Sequence, residues 1–175
     1  MKSLRTLSLI AALCAVGCAT QPATTVVPAV AAAVSPTPGI ISAGRLVPAD
    51  IDRLVGAGVR QIIDLTPDAE TPEFDEASAA RAAGIAYSNL PLRGGQDLTR
   101  ANVIAFDKLL RAARHPVLVH CSSGNRVGAM AALRAAWVEG VPVEEAIAIG
   151  KMWGLKGLES DVRHKLGSAT RPVAP

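Results

Sequence analysis

The chemistry-bearing stretch is Val117-Leu118-Val119-His120-Cys121-Ser122-Ser123-Gly124-Asn125-Arg126-Val127-Gly128. It sets a cysteine at the end of an apolar, β-branched run and an arginine just ahead of an alanine-rich helical stretch. The residues between them, Ser122 to Asn125, are small, so successive backbone N–H groups can turn inward and form an anion-binding nest. The start of the following helix adds the positive end of its dipole at the same point. Such a loop suits a tetrahedral oxyanion, with Arg126 supplying a planar pair of donors. The same field favours a thiolate on a neighbouring cysteine. The plainer alternatives are a Cys121 that is only a small buried hydrophobe and an Arg126 that only pairs with an acid such as Asp64. The coincidence of a nucleophile and an anion cradle within six residues favours chemistry.

The elements that must position this loop are legible from periodicity. Residues 48–55 begin with a proline and carry apolar side chains at helical spacing, with Gly56 and Gly58 as stops. Val59–Leu65 is a β-branched run that predicts a buried strand, ended by Thr66-Pro67-Asp68. Phe74–Ala83 predicts a helix and Ile85–Leu90 a short strand. A loop over Pro91–Asp97 precedes a helix over Thr99–Ala113, capped by Thr99 or Asp97, with Val103, Phe106, Leu109 and Leu110 on one face. Val117–His120 is the strand that carries the cysteine. Helices follow over about 127–138, 142–150 and 158–166. Repeated strand–helix units predict an α/β domain with a small, mainly parallel sheet flanked by helices.

Composition narrows the function classes. The chain has 175 residues, half of them hydrophobic, which is room for one domain with a core. Only 3% are aromatic, so Ala, Val, Leu and Ile must fill that core. Without Lys2 and Arg5 the net charge falls to 16 bases against 15 acids. Tyr87 is the only tyrosine. A nucleic-acid partner is therefore not expected, since neither a basic footprint nor stacking platforms are present.

Residues 1–18 have the layout of a secretory signal: a basic start, then an apolar run. Leu7–Ala19, apolar apart from Ser8, makes about 20 Å of helix, short of a bilayer core of roughly 30 Å. The end, Ala15-Val16-Gly17-Cys18, resembles a bacterial lipobox, although Leu is usual where Ala15 stands. Lipidation of Cys18 and anchoring to the membrane, the outer one in a Gram-negative cell, are the expectation. Export would place the domain in the periplasm or cell envelope. Residues 19–39 hold four prolines and no charge, and read as a tether. All 15 acids and 15 of the bases fall within residues 40–166, read as the domain, with 167–175 as a flexible tail. If export holds, Cys121 has no unmodified cysteine to pair with in the mature chain.

The His120-Cys121…Arg126 segment resembles the signature of cysteine-dependent protein tyrosine and dual-specificity phosphatases. More closely it resembles a bacterial phosphatase-like family, related to the domain found beside β-lactamase-like hydrolases. Gly44-Arg45-Leu46, Ala57–Leu65 and Ala83–Tyr87 extend the likeness over roughly residues 40–155. The resemblance implies a cysteine-phosphatase-like fold and phosphate-monoester hydrolysis through a phosphocysteine on Cys121. Arg126 and the amides of Ser122, Ser123, Gly124 and Asn125 would hold the phosphate oxygens. It implies no metal and no cofactor, a phosphorylated small molecule or protein as substrate, and His120 as a supporting residue that orders the loop. The sequence leaves the oligomeric state open.

Three departures bear on mechanism. Four residues separate Cys121 from Arg126 where most tyrosine phosphatases have five, a shorter loop shared with rhodanese sulfurtransferases and with the bacterial phosphatase-like family. Val127 stands where Ser or Thr usually assists the leaving thiolate. Arg93 takes the approximate place of the usual general-acid aspartate; Asp97, the only carboxylate in that loop, is the candidate acid and Asp64 the fallback. The alternatives are therefore a sulfurtransferase carrying a persulfide on Cys121, and a catalytically degenerate oxyanion-binding module.

Overall fold

The computed structural model describes residues 25–169, with side chains to 167. The signal-like segment with Cys18, and residues 170–175 of the tail, lie outside the described residues.

A five-stranded sheet forms the centre, in the order β1-β2-β5-β3-β4. The strands are β1 (Val34–Thr37), β2 (Ile40–Ala43), β3 (Gln61–Asp64), β4 (Ala86–Asn89) and β5 (Val117–His120). All neighbours pair in parallel except β1 and β2, which form an antiparallel hairpin. The six helices are α1 (Asp50–Gly56), α2 (Glu76–Ala82), α3 (Arg100–Ala112), α4 (Asn125–Trp137), α5 (Val143–Met152) and α6 (Glu159–Ala169). The α/β class with a mainly parallel sheet is as the sequence implied.

Two readings are corrected. The stretch 19–39 is not all tether: β1 lies within it, and Val30 and Ala33 pack against the core. Pro36 is tolerated because β1 is an edge strand, where an absent N–H costs no ladder bond, and Pro38 falls in the turn that joins β1 to β2. At the other end α6 runs to Ala169, past the boundary set at 166.

The core is split by the sheet. On one face Ile63, Val117 and Val119 pack with α3, α4, α5 and α6 through Phe106, Met130, Leu133, Ile147 and Val162. On the other, Ile41, Ile62 and Leu118 pack with α1 and α2 through Leu54 and Ala80. Alternation along β5 therefore sends Val117, Val119 and Cys121 to the four-helix side, and Leu118 and His120 to the two-helix side. The centre of the sheet thus delivers Cys121 at the carboxyl ends of the parallel strands, where open α/β sheets place their ligands.

Candidate active site

Cys121 leaves β5 and is 1% exposed, packed among the residues of the larger core. The chain then turns through Ser122 and Ser123 to Gly124, whose φ of 80° is the left-handed conformation that glycine adopts without steric cost. Gly124 is the N-cap of α4, so the helix begins at Asn125, two residues before the sequence suggested. Arg126 is thereby held in the first turn of α4, 7% exposed, beside the free thiol of Cys121.

Both terminal nitrogens of Arg126 are engaged. Its Nη1 donates to Glu70 Oε1 at 2.8 Å and to the carbonyl of Leu92, and its Nη2 donates to Glu70 Oε2 at 2.7 Å. The Ser122 hydroxyl completes the cluster, 2.6 Å from both Arg126 Nη2 and Glu70 Oε2. Burial works against the charge on Arg126, yet the bond to Glu70 and the nearby Cys121 leave it more firmly protonated than usual. Glu70 is held below its ordinary value, first by the Arg126 bond, against a desolvation cost. The sequence offered Asp64 as a partner for Arg126; the partner is Glu70. It sits on a 3-10 turn, Asp68–Glu70, that runs on from the Thr66-Pro67-Asp68 strand stop. No periodic signal marks such a residue, because only the fold brings position 70 to position 126.

The other expected residues are placed as follows. Ser123 is exposed at the tip of the turn. The Asn125 side chain faces away from the cysteine and accepts from the backbone of Lys156 at 2.8 Å and of Leu158 at 3.3 Å, tying α4 to the α5–α6 loop. Asp97 does not cap α3; Thr99 does, accepting from Asn102 N at 3.2 Å. Asp97 Oδ2 accepts from Arg93 N at 2.7 Å and so braces the loop whose Leu92 carbonyl meets Arg126.

Asp64 and His120 lie across the sheet from Cys121. Their positions are paired in the β3–β5 register. His120 Nε2 is 2.9 Å from Glu76 Oε1 and 3.3 Å from Asp64 Oδ1, while Asp64 Oδ2 accepts from Tyr87 OH at 2.8 Å. Asp64 is thus turned from the thiol and does not serve as the fallback acid. His120 fastens the end of β5 to α2 and β3 rather than bonding through Nε2 to the loop. Burial, then the Asp64 charge, keep the Tyr87 hydroxyl protonated above its usual range.

Asp64, Glu76 and His120, all buried, offer one ligand atom each within 4.8 Å of one another. Among the described residues they are the group that could receive a metal, a grouping invisible in sequence spacing. A cavity of about 480 Å³ opens beside them, lined by Asp64, Asp68, Thr71, Phe74, Glu76 and Tyr87 among others.

A thiol at the carboxyl end of a central parallel strand, followed by a tight turn and a first-turn arginine, defines a phosphatase-like domain of the protein tyrosine phosphatase fold. A family model described as "Beta-lactamase hydrolase-like protein, phosphatase-like domain" matches residues 25–138, and the chain belongs to that family. Beta-lactamase hydrolase-like proteins of Xylella fastidiosa and Agrobacterium fabrum are 37% identical over 101 residues and 38% over 88. Those stretches cover 55% and 48% of this chain but only 23% and 20% of the relatives, so the chain spans under a quarter of their length. A candidate phosphatase from Neisseria meningitidis superimposes with a TM-score of 0.66 at 28% identity, over 78% of this chain and 96% of that one. TpbA of P. aeruginosa, solved with pTyr, has a TM-score of 0.58 at 22% identity, over 78% and 88%; that likeness is one of fold.

Proposed function

We propose that the chain hydrolyses phosphate monoesters through Cys121. The observation that carries this reading is the meeting of the Arg126 guanidinium and the Ser122 hydroxyl, 2.6 Å apart, beside the thiol. The Cys121 thiolate attacks phosphorus and the ester P–O bond breaks, with Asp97 as the acid that gives the departing oxygen its proton. Arg126 and the turn amides stabilise the charge on the equatorial oxygens. Water then attacks the phosphocysteine, the P–S bond breaks, and phosphate leaves as the thiolate returns. Val127 supplies no hydroxyl to that thiolate, so breakdown is the slower half. The substrate is a phosphorylated small molecule or protein. The N-terminal segment supports an envelope lipoprotein anchored through Cys18.

The test is hydrolysis of a small aryl phosphate by the reduced chain. Turnover that disappears in Cys121→Ser is the expected result; no turnover at any pH at which the fold persists would overturn the reading.

Glu70 gives specific support to a second reading. Its carboxylate already neutralises Arg126, an arrangement that suits sulfane sulfur on Cys121 better than a dianion. A low-molecular-weight persulfide would then add one sulfur atom to Cys121 and leave as its thiol, a change visible by intact mass.

A further inference from the structure

We propose that Glu70 is a built-in occupant of the oxyanion cradle, which a substrate phosphate must displace, so that the loop carrying it gates the site. This rests on reading the Cys121–Arg126 loop as that cradle. Three features carry the inference.

The first is which nitrogens Glu70 uses. Its two oxygens meet the two terminal nitrogens of Arg126, at 2.8 and 2.7 Å. The parallel two-bond geometry is also the one guanidinium offers to phosphate. The second is Ser122: its hydroxyl, the first donor after the cysteine, is spent on Glu70 Oε2 at 2.6 Å. One carboxylate therefore satisfies side-chain donors drawn from both ends of the loop, which an incoming phosphate would otherwise use.

The third is how Glu70 is mounted. The 3-10 turn Asp68–Glu70 buries none of its three residues. Its neighbours Asp68, Thr71 and Pro72 border the cavity of about 480 Å³ rather than packed core. Besides Arg126 and Ser122, the turn is held by Arg45, whose Nη1 donates to the Glu70 carbonyl at 2.9 Å from an exposed position. A segment with few buried apolar contacts opens at low cost, so withdrawal of Glu70 leaves the core intact. Only the open fraction of molecules binds an anion, and apparent affinity falls by that fraction.

The test is calorimetric binding of inorganic phosphate to the full reduced chain and to its Glu70→Gln, Glu70→Ala and Arg126→Gln variants, each checked for an intact melting transition. Removal of the competing charge is expected to tighten phosphate binding by about tenfold or more in both Glu70 variants. Apparent KM for an aryl phosphate should fall in parallel. Arg126→Gln should lose binding. Glu70 variants that bind phosphate as the parent does, or more weakly, while Arg126→Gln still loses it, would overturn the gate and leave the cradle standing. Phosphate binding absent from the parent and from both Glu70 variants, or binding untouched by loss of Arg126, would overturn the cradle and the gate together.

Discussion

At the scale of single residues, the account turns on donors and charge. Arg126 presents a planar fork to Glu70 and is buried against Cys121. Lysine keeps the charge but places it at one point, so Arg126→Lys should lower kcat for an aryl phosphate by about 100-fold with the fold retained. Steady-state kinetics beside a melting curve check this; near-parental kcat would show that charge alone suffices. Asp97 is distinguishable by leaving group. A good leaving group departs without a proton, so Asp97→Asn should leave aryl phosphate turnover within a few-fold and slow alkyl phosphate turnover by at least about 100-fold. Equal losses on both substrates would assign Asp97 to bracing the 93–97 loop through Arg93 N. Among these residues Cys121, Arg126 and Asp97 were visible in sequence, because each lies in or beside a local signature. Glu70 was not, since its importance comes from a contact across 56 residues.

At the scale of elements, the position of α4 depends on close approach. A Cβ on Gly128 would stand 2.0 Å from Leu155 N, within the loop that also places Gly154 against Gly124. Gly128→Ala therefore has to push the α5–α6 loop away from the turn that follows Cys121. A loss of at least about 2 kcal/mol in chemical denaturation is expected, with weakened turnover in the surviving fold. Gly167, on the exposed side of α6, is the matched control, because a Cβ added there would meet nothing within 4 Å. There alanine should be neutral or stabilise by roughly 0.5–1 kcal/mol. The helices and strands β3, β4 and β5 were legible because their apolar spacing is strong. Strand β1 was not, because prolines and the absence of charge in 19–39 imitate a linker, and only an edge position makes Pro36 acceptable within a strand. Likewise the side of the sheet that receives each residue followed from alternation, whereas the meeting of Asp64, Glu76, Tyr87 and His120 required the β3–β5 register and the approach of α2.

At the scale of the whole molecule, α3 and α4 are joined by charge as well as by core. Asp107 accepts from Arg111 Nε and from Arg134 Nε, both at 2.8 Å. Burial works against its charge, but those two bonds prevail and hold its carboxyl below the ordinary 3.8. A carboxyl depressed in the folded state contributes stability above its unfolded value and loses it as pH falls through the folded one. Melting temperature should therefore drop as pH is lowered past about 4, and Asp107→Asn should flatten that drop while lowering stability at neutral pH. An unaltered acid slope in the variant would contradict the assignment. The stretches shared with the Xylella and Agrobacterium relatives are under a quarter of those proteins, so the chemistry of the phosphatase-like domain has to be established on this domain itself. Because Val127 leaves thiolate departure unassisted, the covalent intermediate should accumulate. The decisive measurement is acid quenching of the chain during turnover of an aryl phosphate, followed by mass spectrometry of the peptide bearing Cys121. A phosphoryl group on Cys121, absent from Cys121→Ser, is the predicted result; turnover that persists in Cys121→Ser with no adduct on the parent cysteine would contradict it.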